Sequence, residues 1–124
     1  MKFDAVQLMR VAEEILKYFY MKGARHVAIS YDFGKERSFC GAHSRDLVLE
    51  ERDMDYLRHV FDGPVQPEIA NYYGTLAGRR RDELEMELVG TMVELDELVS
   101  ESGLGTRMLV SRREMEYRSS LHHD

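Results

Sequence analysis

A pattern of one helix followed by two short strands occurs twice in this 124-residue chain. The first copy covers residues 4–42 and the second covers residues 82–113. Each copy opens with a residue pair typical of a helix capping box, namely Asp4 with Gln7 and Asp82 with Glu85. Two such units place four strands side by side and cover one face with helices, so the repeat constrains the architecture before any chemistry is considered.

The first copy begins with the clearest helix of the chain, at residues 5–22. Glu13, Glu14 and Lys17 are predicted to lie away from its buried side, and Gly23 stands where a glycine commonly follows a helix. The apolar residues recur at the spacing of a single buried stripe, which is formed by Leu8, Ala12, Ile15 and Phe19.

From His26 onward the hydrophobic period changes to two, which predicts a half-buried strand. Asp32 is predicted to face solvent, and the return strand at residues 37–42 places Phe39 and Cys40 on opposite faces. The residues of the first strand that share the apolar face are Val27, Ile29, Tyr31 and Phe33. If Tyr31 or Phe33 is exposed on the face away from the helices, it favours a dimer interface.

Between the two copies the sequence predicts helices at residues 50–62 and 67–78. Residues 82–93 fit either a helix or a strand, and we prefer the helix because the first copy has a helix at the corresponding place. Residues 95–100 and 106–112 are predicted to form the second hairpin.

The pattern therefore predicts a two-layer α+β fold with a four-stranded, mostly antiparallel sheet and helices on one face. We expect one domain at residues 1–113, built from αββ units at 4–42 and 82–113. A helical connection at residues 50–78 joins the units, and residues 114–124 form a polar tail. The order of the strands stays open, because two αββ units can be joined in several ways.

Composition narrows the classes of partner. A formal net charge of −6 disfavours nucleic acid and anionic lipid, since both attract basic surfaces. No apolar run approaches the roughly 20 residues that span a bilayer, and no signal peptide is apparent. With Cys40 as the single cysteine, no intramolecular disulfide can form. These features predict a cytoplasmic protein that needs no cofactor.

Few residues carry recognisable chemistry. Cys40 and His43, at the end of the return strand, are the strongest candidates for a metal site or for a reactive pair. A second ligand pair at zinc-like spacing is missing from the sequence, and a strand cysteine is more often a small buried apolar residue. We therefore expect neither a metal nor catalysis, and keep an enzyme using Cys40 and His43 as an alternative.

The chain resembles an uncharacterised family of small bacterial proteins. The resemblance covers most of the chain and rests on residues 66–68, on Leu76 and Gly78, and on residues 87–92. Tyr72 and Tyr73 also belong to it. It implies a fold and no activity.

Residues 11–42 also resemble the helix and hairpin that open the ATP-binding domain of GHKL, or histidine kinase-like, proteins. In that class an asparagine of the helix holds Mg²⁺, and here the helix offers Glu13 and Glu14 instead. The glycine-rich adenine loop is not matched after Asp32. The resemblance implies a degenerate nucleotide-binding domain with Glu13 and Glu14 as the Mg²⁺ ligands.

The leading hypothesis is a small, non-enzymatic binding or regulatory protein that associates with itself, as a homodimer, or with another protein. Amphipathic elements rich in tyrosine and methionine support this hypothesis, because such side chains are common at protein interfaces. The predicted interface residues are Tyr31, Phe33, Tyr72 and Tyr73. The nucleotide-binding domain and the enzyme remain as alternatives.

Overall fold

A computed structural model describes residues 2–65 and 85–114 of the chain. In this part three helices and four strands form an α+β fold, as the sequence predicts. The elements are, in chain order, α1 (Lys2–Met21), β1 (Ala28–Phe33), β2 (Arg37–Ser44), α2 (Glu51–Val60), α3 (Met86–Met92), β3 (Glu94–Glu101) and β4 (Gly105–Arg113).

The sheet is antiparallel throughout, with the strand order β1-β2-β4-β3. Each hairpin of the sequence repeat is present, and the hairpins meet where β2 pairs with β4 along the full length of β2. Among the described residues, the strands β1 and β3 are therefore the two edges of the sheet. Local alternation predicts hairpins, but the pairing of β2 with β4 depends on contacts between distant residues, which the pattern does not encode.

The helices cover one face of the sheet and enclose the core. The strand β2 alternates strictly between buried and half-buried residues, so its buried residues point towards the helices. The predicted stripe of α1 is buried, since Leu8, Ala12, Ile15 and Phe19 are each at most 4% exposed. The core also includes Cys40, Ala42, Leu57, Met86, Val89, Met92, Met108 and Val110.

The helix α1 ends in a Schellman motif. Gly23 adopts a φ of 111°, a conformation that costs glycine little because it lacks a Cβ. The N–H of Ala24 donates to the carbonyl of Phe19 at 3.0 Å, and the N–H of Gly23 donates to that of Tyr20 at 3.0 Å. The glycine predicted to follow the helix thus also sets the direction in which the chain leaves it.

The connection from β2 to α2 is fixed to the second hairpin by a small polar network. The hydroxyl of Thr106 donates to the carbonyl of Leu47 at 2.7 Å and lies 2.8 Å from the hydroxyl of Ser100. The N–H of Leu49 donates to the hydroxyl of Ser100 at 2.8 Å. These bonds join the two repeat units at the end of the sheet where β2 ends and β4 begins.

Three sequence-based details differ from the structure. The helix α1 begins at Lys2, so Asp4 lies within it and is not its N-cap. Glu14 is 6% exposed and not on a solvated face, because α3 packs beside it. The helix α3 begins at Met86 with Glu85 as its N-cap, whereas the sequence predicted Glu85 inside the helix.

Other predictions concern residues outside the described part of the chain. These are the helix at 67–78 with Tyr72 and Tyr73, the start of the second unit at 82–84, and residues 115–124 of the tail. Within the described part, no helix is both long and apolar enough to cross a bilayer.

Candidate functional site

Tyr31 and Phe33 lie at the outer edge of the sheet and are 40% and 52% exposed. They pair with Cys40 and Ser38, which places them on the helix-facing side of the sheet and not on its open face. Their rings stack with 5.4 Å between centroids and 11° between planes. The pKa of the Tyr31 hydroxyl is raised, chiefly by burial against its neighbours. An aromatic pair thus lies on β1 where the helical layer does not cover it.

The helix α1 carries a second apolar stripe on the side away from its buried one. Its spacings of three, seven and four residues keep the members on one face of the helix. Each member is between 43% and 64% exposed, and the members are Val6, Met9, Leu16 and Tyr20. The helix α1 is therefore apolar on two faces, and the described structure covers one of them.

The outer stripe of α1 lies on the β1 side of the molecule. The carboxylate of Glu14 accepts the backbone N–H of Glu85 at 3.1 Å, so this flank of α1 faces α3. Successive residues of a helix are about 100° apart around its axis, which places the outer stripe on the flank away from Glu14. Because α1 contacts β2 and β1 while α3 contacts β3, that opposite flank is on the β1 side. We call the combined patch the β1-side surface, consisting of Val6, Met9, Leu16, Tyr20, Tyr31 and Phe33.

The two edges of the sheet differ in how readily they accept another strand. The edge β1 pairs with β2 without a register shift, and Asp32 is its single charged residue. The edge β3 has a register shift between Leu95 and Glu97, and its acidic residues are Glu94, Asp96, Glu97 and Glu101. Bulges and charges are the usual means by which proteins block pairing at an edge. Therefore β3 is protected against a further strand and β1 is not.

A cationic depression of about 590 Å³ lies beside the start of β1. Its lining residues are Arg25, His26, Val27, Ala28, His43 and Arg45. The neighbouring carboxylate, Asp46, offsets part of this charge; it accepts the Ser44 hydroxyl at 2.6 Å and the backbone N–H of Arg25, itself a lining residue, at 3.1 Å. The Ser44 bond is the main cause of the lowered pKa of Asp46. The two arginines, partly offset by Asp46, thus leave a local excess of positive charge at one end of β1 in a chain of net negative charge.

The structure separates Cys40 and His43, the pair considered for metal binding or catalysis. Cys40 faces the core and is fully buried, and burial raises the pKa of its thiol to about 11. His43 lies on the open face, where its Nε2 is 3.4 Å from the carbonyl oxygen of Leu104. Residues three apart on a strand face opposite ways. Among residues 2–65 and 85–114, no three His, Cys, Asp or Glu side chains converge as a metal site.

Glu13 and Glu14, the candidate Mg²⁺ ligands of the nucleotide alternative, have different surroundings. Glu13 is exposed and lies 3.6 Å from the Arg10 guanidinium. Glu14 is buried, lies 3.1 Å from the Lys17 ammonium and also accepts the N–H of Glu85. The carboxylate of Glu14 therefore anchors the start of α3 to α1.

Sequence reasoning identified Tyr31 and Phe33 but missed the outer stripe of α1 and the cationic depression. The stripe has a recognisable signal, since its apolar residues repeat at helical spacing beside the stronger buried stripe. The depression has no such signal, because it combines residues 25–28 with residues 43–45 through the register of β1 and β2.

Comparison of the chain with models of protein families, with curated proteins and with solved structures gives no match. Function is therefore inferred from the geometry of the surfaces described above.

Proposed function

We propose that the protein is a small, non-enzymatic binding or regulatory protein of the cytoplasm that acts through protein–protein contacts and associates with itself. The observation that supports this most directly is the β1-side surface. It brings six exposed apolar or aromatic side chains together beside an unprotected sheet edge. Contiguous exposed patches of this kind commonly mark interfaces.

The size of the molecule makes such an interface feasible. A stable interface hides about 800 Å² of each partner. That is about a tenth of the accessible surface of this chain, which is 7801 Å². One face that includes a helix of 20 residues and a six-residue edge strand extends far enough to supply it, since the helix alone is about 30 Å long.

The surroundings of the reactive side chains also favour binding over catalysis. A thiol with a pKa of about 11 is protonated at neutral pH, and the thiolate is the nucleophilic form. Cys40 therefore suits a structural position in the core.

Sedimentation velocity over a wide range of concentration tests the proposal. We expect a reversible dimer, and we expect Tyr31→Lys to raise its dissociation constant by tenfold or more, by about 1.4 kcal/mol. The matched control is Leu104→Lys, because Leu104 is 62% exposed but lies in the turn between β3 and β4. A wild-type chain that stays monomeric at every concentration refutes self-association.

A further inference from the structure

We infer that two copies pair through antiparallel β1 strands with Ser30 at the two-fold axis, so that the four-stranded sheet becomes eight-stranded. Each copy then places Asp32 beside the cationic depression of its partner. This inference rests on the proposed self-association and specifies its geometry. It follows from the faces of β1, from its charge and from the position of α1.

The alternation of β1 limits the possible registers. Ile29, Tyr31 and Phe33 point to the helix side, while Ala28, Ser30 and Asp32 point to the open side. Residues directly opposite in a sheet share a face, so a slip by one residue places an aromatic side chain opposite a polar one. With Ser30 opposite Ser30 of the partner copy, Ile29 faces Tyr31 and Val27 faces Phe33.

Charge selects among the registers that keep the faces matched. Moving the axis from Ser30 to Tyr31 makes the two Asp32 carboxylates diagonal neighbours, roughly 7–8 Å apart, where like charges repel. Moving it to Ile29 leaves only residues 28–30 of β1 opposite β1 of the partner, whereas the axis at Ser30 pairs residues 28–32. With the axis at Ser30 the carboxylates are offset by four residues, roughly 13 Å.

The same register brings the Asp32 carboxylate of each copy towards Arg45 and two histidines of the partner copy. Asp32 of the partner copy lies opposite Ala28, and Ala28 pairs on its other side with His43. Two residues before Ala28 the chain has His26, which also lines the cationic depression. The small side chain of Ala28 leaves the carboxylate a path to both imidazoles and to Arg45. In the described part of the chain no ion pair within 4 Å involves Asp32.

The helical layer fits the same two-fold axis. An axis perpendicular to the sheet keeps both helical layers on one side, and the outer stripes of the two α1 helices then flank the junction between the β1 strands. Tyr31 and Phe33 of both copies lie in the space between these stripes. Glu13 also lies on this flank, and its charge is compensated by Arg10 at 3.6 Å.

The occupant of the β1 edge is a second copy because the surface is complementary to itself. The edge offers apolar residues on one face, a carboxylate near its end and cationic groups near its start, and antiparallel pairing matches each of these with its counterpart. The edge β3 is less suited to pair with β1, because its register shift between Leu95 and Glu97 interrupts the regular strand.

Cross-linking of Ser30→Cys by oxidised glutathione tests the register, because the two thiols form one disulfide as the glutathione disulfide is reduced. Facing residues of an antiparallel pair have Cα atoms about 4.5–5.5 Å apart, within the range that a disulfide spans. The matched control is Ala28→Cys, which also lies on the open face. In this register residue 28 of one copy is four residues, roughly 13 Å, from residue 28 of the other copy. Native Cys40 is buried, so the amount of cross-linked dimer formed by the wild-type chain gives the background level.

We expect efficient cross-linking of Ser30→Cys and little of Ala28→Cys or of the wild-type chain. A dimer in which Ser30→Cys does not cross-link, or cross-links no better than Ala28→Cys, overturns the register while the proposed self-association stands. A chain that stays monomeric in sedimentation velocity overturns both the register and the proposed self-association.

Charge reversal tests the contact with the cationic depression. We expect Asp32→Lys to weaken the dimer by about tenfold or more, because it sets two ammonium groups against histidine and arginine. The matched control, Asp96→Lys, makes the same change on edge β3 and leaves the dimer unchanged. If Asp96→Lys weakens the dimer and Asp32→Lys does not, the β1 pairing is wrong.

Discussion

The ring of Tyr18 packs on that of Tyr56, with 6.3 Å between centroids and 19° between planes, and this contact joins α1 to α2. The ammonium of Lys22 lies 5.6 Å from the centre of the Tyr18 ring and 2.8 Å from the carboxylate of Asp53. The Tyr18 hydroxyl is buried and has no hydrogen-bond partner among the described residues. A strong packing contact therefore includes an unsatisfied polar group.

Replacing Tyr18 by phenylalanine should stabilise the protein. A buried hydroxyl without a partner costs about 1–3 kcal/mol, and phenylalanine keeps the ring contact with Tyr56. We expect Tyr18→Phe to raise the free energy of unfolding in urea by about 1 kcal/mol. Tyr20→Phe is the control, since Tyr20 is 64% exposed and its change should be close to zero. A clear loss of stability in Tyr18→Phe means that the hydroxyl has a partner after all.

Alkaline pH should destabilise the wild-type chain more than Tyr18→Phe. Burial, aided by the charge of Asp53, raises the pKa of Tyr18 to about 12. The unfolded chain ionises this hydroxyl near pH 10, while the folded protein retains the proton. Ionisation therefore favours the unfolded chain, and the resulting loss of stability is absent below pH 10 and grows as the pH rises towards 12. Urea unfolding at pH 9, 10 and 11 measures this loss. If the free energy of unfolding falls equally with pH in the wild-type chain and in Tyr18→Phe, the effect does not come from Tyr18.

Gly90 should not tolerate alanine, although alanine is the better helix former by about 1 kcal/mol. A Cβ at this position overlaps the backbone carbonyl of Val60, because α3 packs closely on the end of α2. Overpacking of this kind costs about 1–3 kcal/mol. Gly63→Ala is the control, because a Cβ there contacts nothing within 4 Å. Thermal unfolding of both variants should show a lower midpoint for Gly90→Ala alone.

Gly90 also illustrates how far the sequence determines the fold. Periodicity correctly predicts α1 and both hairpins, since each depends on neighbouring residues and on one buried face. By helix propensity alone Gly90 is a weakness of α3, whereas the structure shows that it permits close contact with Val60. Burial of Glu14, the β2–β4 pairing and the cationic depression likewise depend on residues distant in sequence, which local patterns cannot reveal.

Thr106→Val should separate the connection after β2 from the second hairpin. The valine keeps the shape of the side chain but leaves the carbonyl of Leu47 and the hydroxyl of Ser100 without their bonds to Thr106. Unsatisfied buried groups cost about 1–3 kcal/mol, so we expect a loss of that size in urea unfolding. Faster hydrogen exchange at the amide of Leu49, which bonds to Ser100, should accompany it. Unchanged exchange there indicates that the network does not hold the connection.

Met9→Lys should weaken self-association without weakening the fold. Met9 is 50% exposed at the outer stripe of α1, so a lysine there is solvated in the monomer. In the dimer the same lysine places a charge in the proposed interface. We expect the dissociation constant of the dimer to rise by about tenfold, or 1.4 kcal/mol. The free energy of unfolding of the monomer should change by less than about 0.5 kcal/mol, as at other surface positions. Val48→Lys is the control, because Val48 is 52% exposed and lies in the connection before α2. Equal effects of the two lysines on sedimentation exclude the outer stripe from the interface, since only one of them lies on the β1-side surface.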